Sequence, residues 1–205
     1  MLLLAKSPDI FKILATTQDE SIGRSFDKVS RLLGLKWTEL GPGDALERFC
    51  TEDYKEGLPS IPLVSRPFVG QLQFSFSGLH SFVKQFIDRQ AVAIDLPTKR
   101  ALARAFQTAA VSQLEEKLLL ALKWCEMNDI MVHEIVVSGG VASNKFLRER
   151  YIMLQAMKIL FNITSSDCAN VFSHSLQILP LRSYCPRPIY VQVSYRRAQI
   201  KLMTN

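Results

Sequence analysis

The stretch VVSGGVASNKFLRER, residues 136–150, decides how this chain is expected to fold. It runs from an apolar segment into two glycines, and then into an asparagine followed by a charged, helix-like segment. Glycines let the backbone approach a ligand that a Cβ atom would repel, and a helix start offers free N–H groups to an anion. Gly139 and Gly140 therefore predict a strand-to-helix turn, after which Asn144 either caps the helix or binds a ligand. By itself such a turn is more often a tight connection than a nucleotide site, and it matches neither common phosphate-loop motif.

Strands and helices are expected to alternate on both sides of this turn. Residues 134–137 read as a strand, and a helix is expected from Asn144 to about residue 160. A long helix is predicted from Pro97 to about Cys125, because Asp95 precedes it and its apolar residues recur every four positions. Upstream we expect a hairpin over residues 1–16, a helix over 25–33 ended by Gly34, a short helix capped by Asp44, a loop over 52–70, a strand around Phe74 and Phe76, and a helix from Gly78 to about Asp88.

The composition is that of an ordinary globular protein. The chain has 205 residues, of which 48% are hydrophobic and 21% are charged. Its formal net charge of +6 is compatible with an RNA partner, but many solvated surfaces carry as much. No apolar run approaches the roughly 20 residues that a membrane helix needs. The four cysteines form no C-x-x-C pair, so neither a zinc site nor a disulfide framework is indicated.

Four stretches together resemble one family. The segment VVSGGVASNKFLR resembles the TsaD family of tRNA N6-adenosine threonylcarbamoyltransferases, in its bacterial and mitochondrial branch. Three further stretches match that family in the same order: SFDKVSRLLGL at residues 25–35, GPGDALE at 41–47 and FSFSGLHSF at 74–82. The resemblance covers residues 1–160, and the tail over 161–205 departs from the family pattern. We therefore expect a TsaD-like region followed by a divergent tail.

The resemblance implies a fold and an activity. It implies an α/β protein with part of the ASKHA fold, which is actin-like and sugar-kinase-like, and mainly its second lobe. Family members transfer threonylcarbamoyl from threonylcarbamoyl-AMP to N6 of the adenosine on the 3′ side of the anticodon, adenosine 37, in tRNAs that read ANN codons. The implied partners are tRNA, threonylcarbamoyl-AMP and a second copy of the chain in the intact enzyme, with no membrane. By its branch, the resemblance places the protein in the mitochondrion.

The resemblance also implies roles for individual residues. Asp27 would hold ribose hydroxyls of the adenylate, because a carboxylate accepts two hydroxyl protons. Gly43 would lie against the adenosine, and Asn144 would contact the nucleotide with Gly139 and Gly140 beside it. The alternatives stay open: Asp27 as a solvated helix carboxylate, Gly43 as a turn glycine and Asn144 as a helix cap. No catalytic residue is assigned.

The family's metal site has no counterpart in this sequence. The resemblance implies one divalent metal ion per subunit, held by an H-x-x-x-H pair and a late aspartate in C-T-D-N. The three histidines, at positions 80, 133 and 174, do not have that spacing. The comparable late region reads SSDCANVF, and Asp167 within it is not assigned as a ligand. Arg24 stands where the family usually has an acidic residue, and Gln73 where it usually has Asp.

These departures lead to an expectation about the chain as written. We expect it to begin inside a domain and to lack the first lobe, to bind no metal ion and to be inactive or nearly so. The leading interpretation is a fragment of the transferase. The alternative is a non-catalytic isoform that binds the full-length enzyme, and whether the chain is an enzyme is left open.

Overall fold

A five-stranded mixed sheet forms the centre of the fold. The computed structural model describes residues 1–7, 9–37, 39–52, 57–152 and 198–204. The strands are β1 (Leu2–Ala5), β2 (Phe11–Thr17), β3 (Gln73–Phe74), β4 (Val132–Gly139) and β5 (Ala198–Thr204). The helices are α1 (Ile22–Leu32), α2 (Pro42–Thr51), α3 (Ser77–Asp88), α4 (Leu96–Met127) and α5, which covers residues 145–152 of the described chain. The predicted mixed α/β class is confirmed, and the assignment to an ASKHA lobe stays a prediction.

The sheet has the strand order β3-β2-β1-β5-β4. β1 pairs antiparallel with both of its neighbours, so Leu3 lies opposite Ile13 on one side and opposite Lys201 on the other. β4 and β5 run parallel, and so do β2 and β3. The strand nearest the end of the chain therefore lies inside the sheet, between the first strand and the strand that leads into the paired glycines.

The helices pack around a core that α4 runs through. Phe106 and Leu102 on α4 are fully buried, as are Val29 on α1 and Leu4 on β1. The rings of Phe26 and Phe106 meet edge to face with centroids 5.1 Å apart. Each such buried side chain contributes about 1.5–3 kcal/mol relative to exposure, so this core holds α1 and α4 in a fixed relation.

Most of the predicted elements are confirmed, with shifted ends. The hairpin is present, and the long helix begins after Asp95, whose carboxylate accepts from Thr98 N–H at 3.0 Å. Helix α1 begins three residues earlier than expected, because Ser21 is its N-cap. Gly34 follows the helix with φ 69°, which fits the predicted glycine stop.

Two local predictions are wrong. Asp44 was expected to cap α2, but the N-cap position is Gly41, and Asp44 lies in the first turn, where it pairs with Arg48 at 2.9 Å. The predicted strand around Phe74 and Phe76 is only two residues long, and α3 begins at Ser77 rather than at Gly78. The helix start is decided by a distant carboxylate, described below, which no local pattern reveals.

The tail contributes to the same sheet as the rest of the chain. Its strand β5 was not expected, because residues 161–205 show no clear period. The proposed boundary at residue 160 stays a prediction. Asp167, His174 and the expected helix over residues 153–160 lie outside the described residues. Among the helices that are described, none is both long and apolar enough to cross a membrane.

Candidate functional site

Gly43 lies next to the carboxylate of Asp27. Asp27 is half-buried on α1, and Gly43 is the second residue of α2. A Cβ atom built on Gly43 would lie 3.5 Å from Asp27 Oδ1, so any longer side chain would cover this carboxylate. The turn before α2 depends on Gly41, whose φ is 92°. The backbone of Gly43, in contrast, does not have a positive φ that would require glycine. The small size of Gly43 therefore matters because it keeps the space next to Asp27 open.

No partner for the Asp27 carboxylate is found in the described part of the chain. Neither a hydrogen bond nor an ion pair reaches it from those residues. A half-buried carboxylate without a partner forgoes hydrogen bonds that water or a ligand can supply. Asp27 is therefore a hydrogen-bond acceptor that is open to a ligand, and the neighbouring Gly43 leaves space around it.

The paired glycines form the turn that the sequence predicts. β4 ends at Gly139, whose φ of 106° is a conformation that other residues rarely adopt. Gly140 opens a 3₁₀ turn, Gly140–Ser143, which the Ser143 hydroxyl closes by donating to the Gly140 carbonyl at 2.7 Å. A Cβ atom on Gly140 would meet nothing within 4 Å, so space is open there. The turn lies against α1, the helix that carries Asp27.

Asn144 caps helix α5. Its Oδ1 accepts from Leu147 N–H at 2.9 Å and from the Gln107 side-chain amide at 3.4 Å. Asn144 is 4% exposed. The cap that the sequence offered as one alternative is thus present, while contact of Asn144 with a nucleotide stays a prediction. Gln107, which is also buried on α4, anchors the cap to the core.

Glu47 ties α2 to the start of α5. Its Oε1 accepts from Lys145 N–H at 2.7 Å, so a carboxylate lies at the positive end of this helix. Burial raises the pKa of Glu47 and the nearby Asp44 adds to the rise, while the Lys145 N–H bond acts against it. Through Glu47, the helix that carries Gly43 is bonded to the helix that Asn144 begins.

Asp19 organises the FSFSG segment. Its carboxylate accepts from the hydroxyls of Ser75 and Ser77, both at 2.5 Å. It also accepts from Phe76 N–H at 2.9 Å and Ser77 N–H at 3.2 Å. Burial raises the pKa of Asp19, but these hydrogen bonds outweigh that effect and bring the pKa far below its ordinary value. Asp19 thus caps α3, which has no side-chain cap of its own.

Sequence reasoning missed Asp19, Glu47 and Gln107. Each acts through a contact between residues far apart in the chain, such as the 98 positions between Glu47 and Lys145. Two signals were available. The serines of FSFSG alternate with buried phenylalanines, and a glutamine directly follows Phe106 of the apolar stripe on α4.

The described residues do not provide a metal site. No three His, Cys, Asp or Glu side chains among them come together as ligands. His80 instead lies beside Glu20, with Nδ1 2.5 Å from Glu20 Oε1. We therefore assign no chemical step of this chain to a metal ion.

Comparison with known proteins confirms the resemblance drawn from the four motifs. The family model for TsaD, tRNA N6-adenosine threonylcarbamoyltransferase, matches residues 1–167. A Schizosaccharomyces pombe protein named as the mitochondrial form of this enzyme is 34% identical over 153 residues, covering 73% of this chain and 36% of the relative. A Thermus thermophilus protein of the same family is 37% identical over 141 residues, covering 69% of this chain and 38% of the relative.

A third relative, from Arabidopsis thaliana, is named as a probable mitochondrial form of the enzyme. It is 33% identical over 161 residues, covering 73% of this chain and 33% of the relative. This chain therefore spans between a third and two fifths of the length of these relatives.

Proposed function

This chain belongs to the TsaD family, and from that premise we propose that it carries the adenylate-binding half of a tRNA threonylcarbamoyltransferase. The position of Gly43 next to the carboxylate of Asp27, whose helix α1 also contacts the turn Gly140–Ser143, is the observation that carries the proposal. An open carboxylate suits the two hydroxyls of a ribose. A neighbouring glycine leaves room for the sugar and base, and the exposed glycine turn leaves room for a phosphate.

The reaction that this site would serve is an acyl transfer. N6 of the tRNA adenosine bonds to the carbamoyl carbon of threonylcarbamoyl-AMP, and the bond from that carbon to the phosphate oxygen breaks. AMP leaves with the electron pair, and the proton lost by N6 passes to solvent. The residues of this chain bind and orient the adenylate. Asp27 accepts from the ribose, and Glu47 and Asn144 hold α5 and the glycine turn in place. No residue here is given the role of proton acceptor.

Further parts of the proposal come from the family and its named relatives. They are tRNA as the acceptor, action on adenosine 37, the mitochondrion as the compartment and a homodimer as the assembled form. A divalent metal ion belongs to the same set, but the described residues offer no ligands for it. The inactivity of the chain without further parts, and its role as a non-catalytic isoform, also stay predictions.

Binding of AMP, the leaving group, tests the proposal. Isothermal titration calorimetry on the 205-residue chain is expected to detect binding of AMP. Asp27→Asn is expected to lower the affinity about tenfold or more, because a hydrogen bond to a charged group is worth about 1.5–3 kcal/mol. Gly43→Leu is expected to do the same by covering the carboxylate.

Matched variants separate the site from general effects. Asp9→Asn removes an exposed carboxylate elsewhere, and Gly57→Leu adds a side chain at an exposed glycine with no neighbour within 4 Å. Both are expected to bind AMP as the wild type does. Unchanged AMP affinity in Asp27→Asn and Gly43→Leu, or no binding by the wild type, would overturn the proposed site.

A further inference from the structure

A basic groove lies between α1 and α3. It is shallow, with a volume of 370 Å³. Its lining consists of Lys28, Arg31, Leu32, His80 and Lys84. Three of these five side chains carry a permanent positive charge, and no acidic side chain is part of the lining. Such a concentration of positive charge attracts a polyanion.

The basic side chains follow the helical repeat. Arg24, Lys28 and Arg31 occupy positions i, i+4 and i+7 of α1, so they share one face of that helix. His80 and Lys84 are one turn apart on α3, which packs against α1. Two basic rows thus run along the two walls of the groove, at the spacing of successive helical turns.

Nearby carboxylates pair with three of the basic side chains. Glu20, whose side chain is 11% exposed, is bonded to Lys28 Nζ and lies 2.5 Å from His80 Nδ1. Lys84 pairs with Asp88 at 2.6 Å, but both side chains are more than half exposed, and such pairs contribute little. Arg31 is exposed as well. Lys28 and His80 are therefore held in place by Glu20. The side chains of Arg31 and Lys84 are exposed, and the exposed pair of Lys84 with Asp88 costs little to open for a ligand from solvent.

An aromatic ring extends the groove at one end. Trp37 is 47% exposed, and Arg31 Cζ lies 5.9 Å from the centre of its ring. Unpaired bases stack on exposed aromatic rings, while cations beside the ring hold the backbone phosphates. A row of cations that ends at a half-exposed tryptophan fits single-stranded RNA better than it fits a membrane or a phosphopeptide.

We propose that the α1–α3 groove binds the phosphodiester backbone of the RNA substrate, with Trp37 stacking on an unpaired base at its end. The inference rests on the proposed function and names the surface on which the tRNA would lie. Lys28 directly follows Asp27, so the groove and the open carboxylate occupy neighbouring faces of one helix, which is about 10–12 Å wide with its side chains. RNA held in the groove is thereby close to the adenylate site.

Salt-dependent RNA binding tests this surface. The probe is an unmodified tRNA transcript that reads an ANN codon, and fluorescence anisotropy measures its affinity for the 205-residue chain from 50 to about 200 mM salt. The triple variant Lys28→Gln, Arg31→Gln, Lys84→Gln is expected to bind about tenfold or more weakly. Its slope of log affinity against log salt is expected to fall by about two to three, roughly one for each lost phosphate contact.

A matched triple variant keeps the same net charge. Lys6→Gln, Arg66→Gln, Lys123→Gln removes three exposed cations that lie outside the groove. It is expected to keep wild-type affinity within about threefold and to retain most of the salt slope. Trp37→Ala is expected to weaken binding of a single-stranded anticodon-loop RNA about tenfold with an unchanged slope, because stacking releases no counterions.

The outcomes separate this surface from the adenylate site. AMP affinity, measured on the same samples, is expected to be unchanged in the groove variant. If no sample binds AMP while the groove variant still has a lowered RNA affinity, the proposed function is wrong and the groove remains an RNA-binding surface. Equal RNA binding by the two triple variants would overturn the groove. So would tighter wild-type binding to a phosphopeptide or to vesicles of anionic lipid than to the tRNA.

Discussion

Two carboxylates eight residues apart, Asp19 and Asp27, have opposite surroundings. Asp19 is exposed, yet its oxygens accept hydrogen bonds from hydroxyls and N–H groups of the FSFSG segment. Asp27 is half-buried, yet within the described residues nothing bonds to its carboxylate. Judged by exposure alone, Asp19 would be the carboxylate available to a ligand and Asp27 the structural one. The hydrogen-bond partners show that Asp19 is committed to the fold and that Asp27 is left available.

The comparison gives a way to separate architecture from binding in this chain. A residue whose bonds are complete should affect stability when it is replaced, and a residue whose bonds are incomplete should affect ligand affinity instead. Asp19, Glu47 and Gln107 belong to the first group. Asp27 and Gly140 belong to the second, and Asn144 lies between the groups because its oxygen caps a helix beside the open turn.

The largest expected effect on stability comes from Asp19→Ala. It removes the cap of α3 and leaves the Ser75 and Phe76 donors without their acceptor, which should cost about 2 kcal/mol. Asp27→Asn should change the free energy of unfolding by less than about 0.5 kcal/mol. Urea unfolding followed by circular dichroism measures both. Equal losses of stability in the two variants would contradict the assignment of Asp19 to the fold and of Asp27 to ligand binding.

A smaller effect is expected from Asn144→Ala. Loss of the cap on α5 should destabilise the chain by about 1 kcal/mol, and Asn144→Asp, which keeps an acceptor at the cap, should recover most of it. The same urea titrations give both values. If Asn144→Ala leaves stability unchanged but abolishes AMP binding, Asn144 is a ligand-binding residue like Asp27, and its cap does not stabilise the fold.

The smallest effect is on the pH dependence of stability, since Asp19 is exposed and solvent screens its charge. Its pKa is lowered in the folded chain, so its contribution is present above the unfolded pKa of about 4 and is lost as the pH falls towards the folded pKa. Glu47 has the opposite sign: its pKa is raised, so protonation in this range favours the folded chain.

Unfolding curves recorded between pH 2 and 7 check this sign. The stability difference between the wild type and Asp19→Asn is expected to be constant above about pH 5 and to shrink as the pH falls below about 4. A difference that widens on acidification would contradict the assignment of Asp19 as an ionised cap.

Sequence patterns predict the elements of this fold better than its long-range contacts. The hairpin, α4 and the glycine turn follow from local periodicity, capping and glycine placement, each of which acts over a few residues. The bond from Ser75 to Asp19 spans 56 positions, and that from Lys145 to Glu47 spans 98. Asp27 and Gly43 were found because their segments resemble a family. Their proximity is a property of the packing of α1 against α2, which no local pattern encodes.

The strand β5 has a consequence for how the chain is made. Leu3 pairs with Lys201, so two neighbouring strands at the centre of the sheet come from positions far apart in the sequence. During translation β1 has only its hairpin partner, and β4 awaits the strand that joins it to β1. The ribosome must therefore synthesise β5 before the sheet can close, and pairings this distant in sequence form slowly. Until then the nascent chain presents unpaired strand edges, and it is in this interval that a chaperone would have most to do.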